Sequence, residues 1–365
     1  MNRSLAVDFY RGVTIAFMII VNTPGSWAYA YAPLRHATWE GCTLSDLVFP
    51  SFMYIMGVSM WFSFGKYDRQ WSAVLGWKIL QRTALLFLLG LLLNQFPIYW
   101  RDWDHWRIYG ILQRLALCYG LTSVLVLTLS RKVLIWVSAA ILLAYWAILY
   151  NSGLPGMHPY SPAGNAVLRL DRWLIGSSHL WHGEGVLFDP EGLLSTLPAI
   201  VTVVLGWLSG ELIAYRSRQK DLLVRDLLVF GLLCGFMGLA WDLFLPINKK
   251  LWTSSYVLYA GGISMVLLAA SIWLIELRGW RNGTGFFLAF GANSLFAYVL
   301  SEALITIFQN IQWGEDMNLQ KWFYSTLYEP IEGAEFSSLL FALTYLLICW
   351  LVCRWLYVRQ IFFKL

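Results

Sequence analysis

Charge is what this sequence has least of. Asp, Glu, Lys and Arg make up 13% of its 365 residues while hydrophobic residues make up 59%, and a soluble globular domain carries about twice that share of charge. A chain so composed cannot cover a water-facing surface, which leaves a polytopic membrane protein. Cysteine is scarce too: Cys42, Cys118, Cys234, Cys349 and Cys353 are odd in number and lie in or beside apolar runs without metal-ligand spacing. That argues against a disulfide framework, and neither a metal site nor redox chemistry is indicated. The net charge of +5 is small and dispersed, so nothing in it points to nucleic acid. No Walker loop, nucleophile-elbow serine, internal repeat or low-complexity tract is present. A cleavable signal is not expected either, because Arg3, Asp8 and Arg11 precede the first apolar run, which shows no obvious cleavage site before more membrane sequence follows.

Aromatic and aliphatic mass takes the place of charge. The 21 Trp and 19 Tyr suit rings seated at the two membrane interfaces. Charge-free windows long enough to cross a bilayer as helices occur at 12–34, 47–65, 83–100, 115–130, 133–157, 192–210, 227–241, 251–275, 282–301 and 336–353. The expected fold class is therefore all-α: a single transmembrane domain over 1–365 with about ten transmembrane helices, both termini on one side. The 26 Lys and Arg then divide 17 to 9 between the two faces, the richer one carrying Arg11, Lys66, Arg82, Arg131 and Arg216 among others. By the positive-inside rule both termini are expected in the cytoplasm, and the long connections at about 151–191 and 302–335 on the far, periplasmic side. Those connections are rich in Trp, Tyr, His and Gly. They suit either an aromatic platform for a glycan or a loop resting on headgroups.

Polar residues at membrane depth stand out against this background, above all in the stretch 36–50, HATWEGCTLSDLVFP. Ionisable groups in or beside spans face a protein interior or a wet cavity and are functional candidates by default. His36 and Asn22 lie either side of a Pro24-Gly25 break at the outer end of the first span. Histidine titrates near neutral pH and can take a proton from an amine or accept an acyl group itself, and Asn22 can donate to a developing oxyanion. An interfacial histidine bound to headgroups is the plainer alternative. Asp46 can orient His36 or bind a cation, or else cap a helix together with Thr43 and Ser45. Arg107, Gln113 and Arg114 enter a span together and suit a phosphate or carboxylate, or an internal ion pair with Asp102 or Asp104. Asp189-Pro190-Glu191-Gly192 reads as a helix start. Asn248, Lys249 and Lys250 can meet an anionic ligand, although lysines at a span's edge usually snorkel. Gly206, Gly210, Gly283, Gly285 and Gly291 are expected to allow close helix packing.

These residues, taken in order, resemble a known family. Val7-Asp8-Phe9-Tyr10-Arg11-Gly12, Val21-Asn22, His36-Ala-Thr-Trp39-Glu-Gly41, Asp46-Leu-Val-Phe-Pro50, Gly110-Ile-Leu-Gln113-Arg114, Asp189-Pro-Glu-Gly192, Asn248-Lys249 with Leu251-Trp252, and Asn293-Ser294 look like the transmembrane acetyltransferase family of heparan-alpha-glucosaminide N-acetyltransferase, in a bacterial NagX-type form. The likeness covers essentially the whole chain.

The resemblance implies transfer of an acetyl group from cytosolic acetyl-CoA to the amine of an amino sugar, a terminal glucosamine in the family, across the membrane. It implies that His36, at the family's catalytic histidine, and Asn22 carry the chemistry, with Asp46 as the third catalytic candidate. Acetyl-CoA is expected to be held by residues drawn from Arg11, Arg82, Arg107, Gln113, Arg114, Asn248 and Lys249, with no metal. The expected setting is the bilayer of a bacterial inner membrane, and a homodimer is the family's habit. Two departures are expected to matter: Glu40 stands where the family has asparagine, and the lysosomal enzyme's extra lumenal N-terminal domain has no counterpart, which bears on the acceptor. The competing class is an amino-sugar transporter in which Asp46, Arg107 and Arg114 line a path and His36 relays protons.

Overall fold

The computed structural model describes residues 4–97, 103–183, 187–313 and 317–363. Arg3 and Asp102, named above, lie outside the described residues. Within them the chain is helical, with no strand beyond two isolated bridges. The helices are α1 (Leu5–Asn22), α2 (Val48–Phe64), α3 (Ala73–Asn94), α4 (Ile111–Thr128), α5 (Arg131–Asn151), α6 (Ala166–Ile175), α7 (Thr196–Tyr215), α8 (Lys220–Asp242), α9 (Ser254–Ile272), α10 (Thr284–Ala292), α11 (Ser294–Asn310), α12 (Leu319–Phe323) and α13 (Ala334–Val358).

Nine described helices are long and apolar enough to cross a membrane, or up to ten if the pair α10 and α11, bent by 85°, makes one span. The expected membrane architecture is therefore present, with shifted boundaries. The first window, 12–34, becomes Leu5–Asn22. Counting only charge-free residues excluded Asp8 and Arg11, but the two pair at 2.8 Å and the helix carries them, capped by Ser4. At the other end Pro24 stops it, since proline offers no N–H and disfavours helical geometry before it. Helices α3 and α4 likewise begin before their charge-free windows and include Arg82 and Arg114. The window at 282–301 is split at Asn293, whose cap geometry ends α10 and opens α11.

Contacts gather the chain into two compact units, Met1–Ala37 with Thr43–Phe52 and Ala270–Lys364, and Thr38–Cys42 with Met53–Ala269. In the first, α1 packs on α10, α11 and α13. Glycine permits the closest approach there: a Cβ at Gly12 would lie 1.8 Å from the Phe287 carbonyl oxygen, and one at Gly291 2.0 Å from that of Asp8. In the second, α4 packs on α3 and α7, and α5 on α7. Gly57 and Gly206 do the same work between α2 and α7, where a Cβ would stand 2.0 Å from Val203 O and 1.9 Å from Tyr54 O respectively. Gly210 is similarly closed by Trp61. Gly283 and Gly285 depart from the packing expectation: both face open space, and Gly283 serves a left-handed turn at φ +74° before α10.

Candidate active site

The first unit holds His36, Asp46 and Asn22. After the Pro24 break, Gly25 N–H donates to Ser338 O at 3.2 Å, and Ser26 and Ser338 exchange bonds of 3.0 and 3.1 Å, so the segment leaving α1 is stitched to α13. The Arg35 side chain then binds the Ala30 and Ala28 carbonyls, closing a loop that delivers His36. Asp46 sits in a 3-10 turn, Ser45–Leu47, just before α2. One of its oxygens lies 2.8 Å from His36 Nδ1. The other accepts the Ala37 N–H, the Thr43 N–H and the Thr43 hydroxyl, each at 3.0 Å. Four donors converge on a carboxylate that is 1% exposed, so Asp46 is an acceptor and His36 Nδ1 carries the proton toward it. In the neutral ring Nε2 then carries the lone pair. The bond to His36 Nδ1 suits the reading in which Asp46 orients the ring, and its bonds to residues 37 and 43 tie down the loop before α2.

Asn22 is the last residue of α1. Its Nδ2 donates to Glu302 Oε1 at 3.3 Å. Glu302 lies on α11, an ionisable residue in an apolar run, and it went unremarked in the sequence because the charge-free window closed at Ser301. That isolation was the available signal. Arg11, in the same unit, donates to Asp8 and to Gly291 O.

The motif around His36 divides between the units, with Thr38–Cys42 belonging to the second. There Trp39 Nε1 donates to Tyr160 O at 2.7 Å and its ring meets Phe188 edge-on at 5.1 Å. Gly41, at φ +97°, donates to Ile247 O at 2.8 Å and bridges to Asn248. These residues anchor the loop. Glu40 is exposed.

The second unit also holds Arg82, Arg107, Gln113, Arg114, Asn248 and Lys249. Arg107 binds both oxygens of Asp189 at 2.9 Å and Glu191 at 2.8 Å. Burial works against its charge, and the two carboxylates more than offset that, holding the guanidinium above its ordinary range. The internal ion pair foreseen for it exists, with Asp189 and Glu191 and not Asp104; Asp102 lies outside the described residues. Asp189 consequently does not cap a helix: α7 starts at Thr196 after Ser195, and Asp189 accepts the Trp181 and Glu191 N–H groups besides Arg107. Arg114 is fully buried, donates to Gly192 O at 3.0 Å and to Ser195 Oγ, and lies 5.0 Å from the Trp252 ring. Gln113, 1% exposed, has no partner for its amide among the described residues. Arg82 lies over the Tyr119 ring at 4.7 Å. Asn248 Oδ1 accepts the Leu251 N–H at 2.9 Å, a local turn that sets up α9, while Lys249 is half-exposed.

Asp171 of α6 completes this network, accepting the Leu193 N–H at 3.0 Å. Its carboxyl is pushed up to about 7 by burial, which the Leu193 bond opposes and the charge of Asp189 reinforces. The Tyr109 phenol against it is raised by burial and by the same carboxylates.

Comparison with known proteins gives this arrangement a context. Residues 3–166 match the family described as heparan-alpha-glucosaminide N-acetyltransferase, catalytic. The human protein named heparan-alpha-glucosaminide N-acetyltransferase is 31% identical over 372 residues, covering 85% of this chain and 54% of its own length. The mouse protein of the same name is 31% identical over 373 residues, covering 86% and 55%. The chain belongs to the family of heparan-alpha-glucosaminide N-acetyltransferase. It spans about half the length of these curated relatives, and the match to the family covers α1 through the start of α6, including the His36–Asp46 pair.

Proposed function

We propose that this chain is a transmembrane acyltransferase that moves an acetyl group from cytosolic acetyl-CoA to the amine of an amino sugar on the other side of the membrane. The observation that carries the reading is the His36 Nδ1 bond to Asp46 in a multi-pass member of an N-acetyltransferase family. With Nδ1 engaged, Nε2 is the base or the nucleophile. In a ternary complex it takes the proton of the amine as that nitrogen attacks the thioester carbonyl, and CoA leaves as thiolate. In a two-step route Nε2 itself attacks, forming acetyl-imidazole and releasing CoA, and the amine then takes the acetyl group. In either case negative charge develops on the carbonyl oxygen, and the Asn22 amide is the donor assigned to it.

The donor's anionic phosphates call for guanidinium or ammonium groups. Arg11, Arg82, Arg107, Gln113, Arg114, Asn248 and Lys249 remain the proposed set. Their surroundings rank them: Arg107 and Arg114 are committed to carboxylates and carbonyls of their own chain, whereas Arg82 has no carboxylate partner among the described residues. The excess of Lys and Arg on one face supports cytoplasmic termini in a bacterial inner membrane, and a homodimer is part of the proposal. A second reading, an amino-sugar transporter, draws on the 85° break between α10 and α11, since broken helices mark many transport sites.

The deciding experiment incubates purified protein with acetyl-CoA and glucosamine and follows CoA release. Turnover that disappears in His36→Ala is expected, and full activity in that variant overturns the assignment. Radiolabel retained on denatured protein after acetyl-CoA alone selects the two-step route. Uptake of labelled amino sugar into proteoliposomes without acetyl-CoA selects transport.

A further inference from the structure

We propose that Glu302 is a positioning residue for Asn22, fixing which face of the asparagine amide meets the reacting carbonyl. The inference rests on the acyl-transfer reading above. Its basis is one long-range contact: Asn22 Nδ2 donates to Glu302 Oε1 at 3.3 Å across 280 residues of sequence, both residues half-buried and both in the first unit. A half-buried carboxylate on an apolar helix is costly and calls for a purpose.

The terminal torsion of asparagine is broad and nearly two-fold, so an unconstrained amide offers a donor and an acceptor about equally. An acceptor aimed at a developing oxyanion repels it. A carboxylate only accepts; beside Glu302 the amide must turn its nitrogen inward, which spends one N–H on Glu302 and fixes the direction of the second. The bond is charge-assisted and stronger than one between neutral groups. Glu302 is itself held by its backbone: Tyr345 donates to the Ser301 carbonyl at 2.5 Å, Thr306 donates to the Glu302 carbonyl at 2.7 Å, and α1 packs against α11. Asn22, the last residue of α1 before Pro24, receives its orientation from a helix that does not end there.

The test uses the full chain in nanodiscs and the CoA-release assay with glucosamine. Glu302→Ala is expected to lower kcat about 10- to 100-fold with KM for both substrates changed less than about twofold, since a misdirected oxyanion donor costs at most what its removal costs, about 10²- to 10³-fold. Glu302→Gln, whose carbonyl can accept from Asn22 but whose NH2 can equally donate to the Asn22 carbonyl and reverse the amide, is expected to lose kcat to a level between the parent and Glu302→Ala. Adding Glu302→Ala to Asn22→Ala produces no further loss if the two residues act as one device. The reversed pair, Asn22→Asp with Glu302→Gln, restores a hydrogen bond of opposite polarity; recovered thermal stability with kcat still lost is the expected result. Recovery of turnover in the reversed pair makes the contact merely structural and overturns the inference, as does a Glu302→Ala enzyme with parental kcat or fully additive losses. Should Glu302→Ala fail to fold, Glu302→Met, apolar and of similar length, takes its place with the same expectation. A parent protein that releases no CoA with any amino sugar overturns the acyl-transfer reading and this inference with it.

Discussion

Asp46 holds His36 Nδ1 with one carboxylate oxygen and gathers Ala37 and Thr43 with the other. The same side chain therefore orients the ring and ties down the loop that carries it. Asp46→Asn separates the two tasks. An asparagine can turn its NH2 toward Nδ1 while its carbonyl keeps the loop bonds, and the histidine then places its proton on Nε2, the wrong nitrogen for a base or nucleophile. The expected outcome is a protein that melts close to the parent but transfers acetyl groups about 10³-fold more slowly. A rate above a tenth of the parent's would show that the tautomer is set elsewhere.

Arg107 is the next pair to break. Its fork fits both oxygens of Asp189, which is 0% exposed, and reaches Glu191 as well. Arg107→Ala strands those two carboxylates and is expected to cost about 3–5 kcal/mol of stability. Arg107→Lys restores the charge without the fork and should recover only part of it. Thermal melts of the purified protein read both. If Arg107 instead served chiefly to bind the donor's phosphates, Arg107→Ala would raise KM for acetyl-CoA and leave the melt unchanged.

The residues around these pairs show how far the sequence could be read. Hydropathy alone placed the long spanning helices, because crossing a bilayer demands long apolar windows, but not the short α6 and α12, which lie within the stretches expected to be connections. The ends of the long helices were misplaced where charge is neutralised internally: the Asp8–Arg11 pair lets α1 begin at Leu5. Spacing brought His36 and Asp46 near enough in sequence to suggest their bond. Glu302 and Asn22 are 280 residues apart, and Arg107 and Asp189 are 82 apart; such pairings depend on helix packing that no local pattern encodes. Asp189 misled for the same reason, since an acid before Pro and Glu has the composition of a helix start whether or not an arginine claims it.

Asp171 gives the protein a pH dependence with a definite sign. Its carboxyl titrates at about 7 when folded, against an ordinary value of 3.8, chiefly because burial disfavours the charged form. The folded state holds this proton more tightly than the unfolded one, so the stability it contributes is complete below about pH 4, falls as pH rises through about 7, and is level above. The protein is expected to lose melting temperature between pH 5 and 7. Asp171→Asn, which keeps an acceptor for the Leu193 N–H, should flatten that slope. A slope unchanged in the variant would assign the dependence to another group.

Gly57 and Gly206 form a reciprocal pair, each lying against a carbonyl of the other's helix. A single methyl at either position cannot be absorbed by rotating a side chain, because what it meets is backbone; the helices must separate along their whole contact. Gly206→Ala is therefore expected to cost at least the upper part of the 1–3 kcal/mol typical of overpacking. Gly285 supplies the control. It is also a helical glycine in an apolar run, but nothing lies within 4 Å of where its Cβ would stand, so Gly285→Ala gains helix propensity and should be neutral or stabilising by up to about 1 kcal/mol. Gly283 tests a third cause: it too faces open space, yet its φ of +74° makes Gly283→Ala destabilising by about 1–2 kcal/mol through backbone strain alone. Melting the three variants side by side separates close packing, propensity and strain, and the order Gly285, Gly283, Gly206 from most to least stable is the one the geometry requires.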